Sequence, residues 1–182
     1  MQLPVQPESL RIWTIGHSTR TIEGFMELLK RSKIQQLVDV RSYPGSRRYP
    51  HFNREALAGY LAEAGIAYIH SKDLGGRRKP AANSKNNAWR NDAFRGYADY
   101  METGTFHEAI RELKTLAETT NTAYMCSEAL WWKCHRSLIS DYLKAEGWEI
   151  QHIMENNEEK HPFTSAARIE SGKLTYANKT LF

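Results

Sequence analysis

The sequence predicts an α/β fold, a three-layer domain built on a mostly parallel sheet of about five strands with helices on both faces. Three observations predict it. Short apolar runs recur along the chain, each about the length of a strand. Between them lie stretches whose apolar residues return at helical spacing. Capping residues and glycines punctuate the joins. Strands that alternate with helices form βαβ units, and those pair in parallel.

Each element has its own local reason. Arg11-Ile12-Trp13-Thr14-Ile15 is a short apolar run ending in Gly16, and reads as the first strand. Ile22, Phe25, Met26 and Leu29 recur with a helical period, which predicts an amphipathic helix from Thr21 to about Lys33. Gln36 to Val40 is the second strand. Asn53 can cap a helix carrying Leu57, Tyr60, Leu61 and Ala64, which stops at Gly65. Ile66 to Ile69 is the third strand. Residues 70–90 are polar and rich in Gly, Pro and Asn, so they read as a long loop, and loops of that length are usually functional. Helices are expected over about 91–102 and 105–119, then a fourth strand from Thr122 to Met125. A helix from about His135 to Glu146 ends at Gly147, and Trp148 to Met154 is the fifth strand. The 28 residues from Glu155 onward have no clear period and are expected to wrap the domain or close its site.

The chain of 182 residues fits one domain, with its core over about 11–154. No apolar run approaches the roughly 20 residues of a membrane span. The opening MQLPVQPESL lacks the charged and apolar regions of a secretory signal, so the expected location is the cytoplasm, with no membrane partner. The formal charge is +4, a weak signal by itself. Its distribution says more, because Arg41, Arg47, Arg48, Arg77, Arg78 and Lys79 fall in two loop-like stretches. Clustered loop cations suit a polyanion such as nucleic acid, although they also suit an ordinary solvated surface. Two cysteines, Cys126 and Cys134, are too few for a disulfide scaffold.

Open parallel sheets bind ligands beyond the carboxyl ends of their strands. Gly16-His17-Ser18 follows the first strand. Asp39-Val40-Arg41 and then Ser42 to Arg48 follow the second. His70 and Gly75-Gly76-Arg77-Arg78 follow the third. Cys126-Ser127-Glu128 follows the fourth, and Trp131 to Arg136 leads into the next helix. His17, Asp39, Arg41, Cys126 and Glu128 are therefore expected on one rim.

Each candidate has a chemical and a structural reading. Glu128 and Asp39 are carboxylates that could activate water or stabilise a developing cation, and could equally pair with Arg136 or Arg41 to shape the rim. His17 could serve as a general acid or base, or as a hydrogen-bonded structural residue. Cys134-His135-Arg136 lies at a helix start, which favours an anion or a reactive thiol. Cysteines there are as readily small buried hydrophobes. A zinc site from Cys126, Cys134 and His135 is conceivable, but the spacing fits no standard ligand pair, so no metal and no cofactor are expected. His51, Ser18 and Lys133 are candidate contacts. Trp131 and Trp132 are adjacent, so one is expected in the core while the other can stack on a base.

The motifs IGHS (15–18), DVRSYPGSRRYPHFN (39–53), LGGRR (74–78), FRGYADYM (94–101) and CSEALWWKCHR (126–136) resemble the domain-of-unknown-function 488 family. The resemblance spans about Ile12 to Tyr176. It implies an α/β fold, a site made from these motifs, and an association with DNA base excision. On that footing the expected activity is a DNA glycosylase acting on a modified or damaged pyrimidine. Arg47, Arg48, Arg77 and Arg78 would hold phosphates, Trp131 or Trp132 would stack on the flipped base, Asp39 or Glu128 would act on the sugar or on water, and His17 would donate to the leaving base. Two other readings stay open: a thiol-dependent enzyme or redox sensor using Cys126 or Cys134, and a non-catalytic module for nucleic acid or nucleotides.

Overall fold

A computed structural model describes residues 10–178. Its strands are β1 (Arg11–Gly16), β2 (Gln36–Asp39), β3 (Ala67–His70), β4 (Thr122–Cys126), β5 (Glu149–Ile153), β6 (Glu158–Lys160), β7 (Arg168–Glu170) and β8 (Lys173–Thr175). Its helices are α1 (Ile22–Arg31), α2 (Arg54–Glu63), α3 (Asp92–Tyr100), α4 (Gly104–Thr119) and α5 (Arg136–Ala145). The main sheet has six strands in the order β3-β2-β4-β1-β5-β6. Neighbours from β3 to β5 run parallel, and β6 pairs antiparallel with β5 at the edge. The α/β class and the mostly parallel sheet are as the sequence predicts. The sheet is one strand wider than expected, because the C-terminal segment supplies β6.

Successive strand residues face opposite sides of a sheet, and the core divides accordingly. Trp13, Ile15, Leu37, Ala123 and Met125 pack with Phe25, Leu28 and Leu29 of α1 and with Leu57 and Leu61 of α2. Ile12, Val38, Tyr124 and Ile150 pack instead with Tyr97 of α3, Phe106, Ile110 and Leu113 of α4, and Leu138 and Ile139 of α5. Asn53 stands at the N-cap of α2, but its side chain accepts from the Ser46 N–H and makes no capping hydrogen bond, whereas Thr21 and Asn91 cap α1 and α3. The Thr21 hydroxyl accepts from the Gly24 N–H at 3.1 Å, and the Asn91 side chain accepts from Ala93 and Phe94.

The C-terminal segment does structural work at the far end of the sheet. His161 and Tyr176 are buried, and both hydrogen-bond Asp141 of α5. A small hairpin, β7 with β8, follows β6. Among the described residues no helix is long and apolar enough to cross a membrane.

Candidate functional site

The strand order explains where the unusual residues meet. β4 lies between β2 and β1, so three strand ends adjoin that are far apart in sequence. Gly16 pairs with Cys126, and Asp39 pairs with Met125. Beyond these ends opens a cavity of about 670 Å³. Its walls include His17, Ser18, Arg41, Tyr43, Arg48, Arg77, Cys126, Glu128, Lys133, Cys134 and His135. Gly16 makes the junction possible. A Cβ there would overlap the main-chain carbonyl of Glu128, so only glycine lets the 127–129 turn come this close.

One side of the floor is a buried ion pair. Asp39 is fully buried, and its two oxygens accept from Arg41 Nε at 2.9 Å and Nη2 at 2.6 Å. Tyr68 also donates to Asp39, at 2.7 Å. Arg41 Nη1 lies 3.2 Å from His17 Nε2, while His17 Nδ1 lies 3.0 Å from the Ser18 carbonyl. A carbonyl only accepts, so Nδ1 carries the proton and Nε2 accepts from Arg41. Burial first, and the Arg41 charge second, hold the His17 pKa down at about 4. The ring is thus neutral near pH 7, and it stacks on Phe52 with centroids 4.3 Å apart. Of the five guanidinium N–H groups of Arg41, three are engaged this way, and the residue still lines the cavity.

The other side of the floor holds sulfur. Cys126 and Cys134 are both buried and both reduced. A hydrogen bond from Cys134, opposed by burial and aided by His135, draws the Cys126 thiol well below its usual range. Burial pushes Cys134 well above it. His135 Nε2 lies 3.2 Å from the Val40 carbonyl. Arg136, only 1% exposed, donates to the Cys134 sulfur at 3.3 Å, to Thr14 Oγ1 at 3.0 Å, and to the carbonyls of Glu128 and Ala129. Among the described residues no carboxylate lies within ion-pair distance of it.

The structure therefore gathers much of the expected set, namely His17, Ser18, Arg41, Arg48, Arg77, Cys126, Glu128, Lys133 and His135, around one cavity. Several expectations need correcting. Asp39 is at the rim but does not line the cavity, because Arg41 and Tyr68 occupy its oxygens. Both His17 nitrogens are committed within the protein, so the ring does not present a free donor. Arg136 is a buried clamp on the 128–129 turn rather than a phosphate ligand. Trp131 stacks on His152, with ring centroids 4.4 Å apart and planes nearly parallel, and Trp132 is exposed; neither borders the cavity. Arg47 is exposed and lies outside the lining, His51 bonds the Arg20 carbonyl, and Arg78 sits over the Tyr100 ring at 3.6 Å.

Sequence reasoning overlooked Tyr43. It is 69% exposed, lines the cavity, and has Arg77 over its ring at 5.7 Å. Its place before Pro44-Gly45 was the available signal, since a turn keeps a large aromatic out of the core. The long loop is also more tightly tied than its composition suggests. Asp99 of α3 accepts from Ala81, Ser84 and Asn86, and Tyr97 and Tyr100 donate to the carbonyls of Leu74 and Asp73.

The fold and the site define an α/β protein with a cation-lined cavity at the carboxyl edge of a parallel sheet. Residues 21–143, about two thirds of the chain, match the family described as Domain of unknown function DUF488, and the chain belongs to that family. No curated protein and no solved structure is significantly similar to it.

Proposed function

We propose that the protein excises a modified pyrimidine base from DNA by hydrolysing its N-glycosidic bond. One observation carries the reading: a single cavity of about 670 Å³ is lined by Glu128 together with the exposed cations Arg48, Arg77 and Lys133. That volume lies in the range that encloses a small ligand such as a nucleoside. The three cations hold phosphates on either side of a flipped nucleotide, which positions the strand without reading its sequence. Tyr43 is the exposed aromatic on the lip, and it takes the stacking role expected of a tryptophan.

In the hydrolysis the bond from C1′ to the base nitrogen breaks, and its electron pair leaves with the base. Water adds at C1′ and passes a proton to Glu128. Arg41, oriented by Asp39 and by the neutral His17 ring, offers its remaining N–H groups to the charge growing on the departing base. His17 acts through Arg41 rather than on the substrate.

The test is a panel of duplexes carrying modified bases, scored for abasic sites by alkaline strand cleavage. At least one modified pyrimidine should give alkali-labile sites. With that duplex, Glu128→Gln should keep DNA binding and slow the single-turnover rate by roughly 100-fold or more, the scale of a lost general base. A panel that yields no abasic site overturns the reaction. An unchanged rate in Glu128→Gln overturns the role given to the carboxylate.

A further inference from the structure

Cys126, Cys134 and His135 form the densest cluster of metal-ligating groups among the described residues. The two sulfurs and an imidazole nitrogen all lie within 4.8 Å of one another. A tetrahedral zinc ion, bound at about 2.3 Å to sulfur and about 2.0 Å to nitrogen, needs ligand atoms roughly 3.5–3.8 Å apart. Side-chain adjustments of about an ångström would close the cluster to that spacing. The adjacency of Cys134 and His135 argues against shared ligation only while both are imagined in one regular element. Here Cys134 is extended (φ −141°, ψ 171°) and His135 is helical (φ −60°, ψ −11°). The chain bends between them, and both side chains face the cavity.

We infer that Cys126, Cys134 and His135 bind a zinc ion at the floor of the cavity, with the fourth coordination position open toward it. Three features besides proximity prepare these side chains as metal ligands. His135 Nε2 faces the Val40 carbonyl at 3.2 Å, so it carries the proton and leaves the Nδ1 lone pair for a metal. This is the usual outer partner of a metal-bound imidazole. Gly76 packs over the same ring, where a Cβ would come within 3.0 Å of Nδ1, so glycine lets the loop lie against the imidazole and hold its orientation.

The third feature is Arg136. Its guanidinium is buried without a carboxylate partner, and Nε donates to the Cys134 sulfur at 3.3 Å. A buried cation of this kind needs an anion beside it. A Cys134 thiolate supplies one, and the thiolate that this N–H donation favours is the form that ligates a metal. Two thiolates with one imidazole suit zinc, which is borderline-soft and tetrahedral. All three residues line the cavity, so the open position would face whatever enters it. Three protein ligands with one open position is the pattern of reactive rather than purely structural zinc sites. The ion site is independent of which substrate enters the cavity.

The experiment measures metal on the full chain, without an activity assay. Protein purified anaerobically under reducing conditions is loaded with zinc, desalted and analysed for its metal content. About one zinc per chain is expected. Cys126→Ser and His135→Ala should each weaken zinc binding by about 100-fold or more, while Ser127→Ala should leave it unchanged. The cobalt-loaded protein should show a thiolate-to-cobalt charge-transfer band and the visible absorption of a tetrahedral ion. Negligible zinc in the unaltered chain, copper or iron in its place, or undiminished zinc in Cys126→Ser overturns the inference. So does a Cys126–Cys134 disulfide in the protein as purified. Should a ligand variant fail to fold, the cobalt spectrum of the unaltered chain decides, and absence of the charge-transfer band overturns the site.

Discussion

Gly16 and Gly59 make a matched pair at the residue scale. A methyl at Gly16 would meet the Glu128 carbonyl and the Arg136 guanidinium, both fixed in the rim. A methyl at Gly59, inside α2, would meet nothing within 4 Å. Gly16→Ala should therefore cost about 2–3 kcal/mol, as overpacking in a rigid setting does, and should displace the turn that carries Glu128. Gly59→Ala should add about 0.5–1 kcal/mol, because alanine removes the entropic penalty of a helical glycine. Urea denaturation of the two variants checks both signs. A neutral Gly16→Ala would show that the 127–129 turn relaxes freely. The sequence marked Gly16 as a strand end. The nearness of Glu128 became visible once β1 and β4 were paired, across more than a hundred residues.

At the scale of elements, the Asp99 carboxylate gathers three of the hydrogen bonds that hold the loop between β3 and α3. Asp99 accepts from Ala81 N at 2.8 Å, Ser84 Oγ at 2.6 Å and Asn86 Nδ2 at 2.8 Å. Gly96, one turn earlier on α3, lets the backbone at Arg78 and Lys79 cross the helix, since a Cβ would collide with it. The loop is thus latched to α3 even though its composition is that of a free loop. Asp99→Ala should release residues 81–86 and speed proteolytic cutting there by about 10-fold, while the global unfolding midpoint changes little. Equal cutting of variant and parent would mean that Gly96 and the Tyr97 and Tyr100 hydrogen bonds hold the loop without Asp99. The alternating elements themselves were legible, because each apolar period and cap is local. The latch was not, because the acceptors of polar side chains leave no periodic trace.

At the scale of the molecule, a buried polar chain ties the sheet to the C-terminal segment. Thr14 Oγ1 lies 2.8 Å from His152, His152 lies 2.9 Å from His161, and His161 lies 3.0 Å from Asp141. Burial, then the neighbouring His161 and Arg136, hold the His152 pKa down at about 2. In the unfolded chain the same ring takes a proton near pH 6.5. The unfolded state therefore binds more protons below that value, and stability falls as pH drops from about 6.5 toward 2. Between pH 7.5 and 5.5 the loss through this residue should be on the order of 1 kcal/mol. His152→Gln should flatten the dependence by that amount, measured by urea unfolding at the two pH values. Curves of equal slope would show that His152 is charged in the folded protein.

The sequence alone determined the alternation of strands and helices, the mostly parallel sheet and the rim on which the motifs gather. These depend on hydrophobic period and on the chemistry of turns, which neighbouring residues carry. Only the tertiary structure decided which motif side chains face the cavity. Asp39 and Arg136 look like site residues by type, yet one is consumed by Arg41 and the other is buried as a clamp. Trp131 is claimed by His152, and the exposed aromatic at the lip is Tyr43. Cys126 and the Cys134-His135 pair fit no ligand spacing on paper, yet their donor atoms share one small volume. The physical reason is common to all of these. The order of the strands and the bend at the start of α5 choose the partners of each polar group, and both are properties of contacts far apart along the chain.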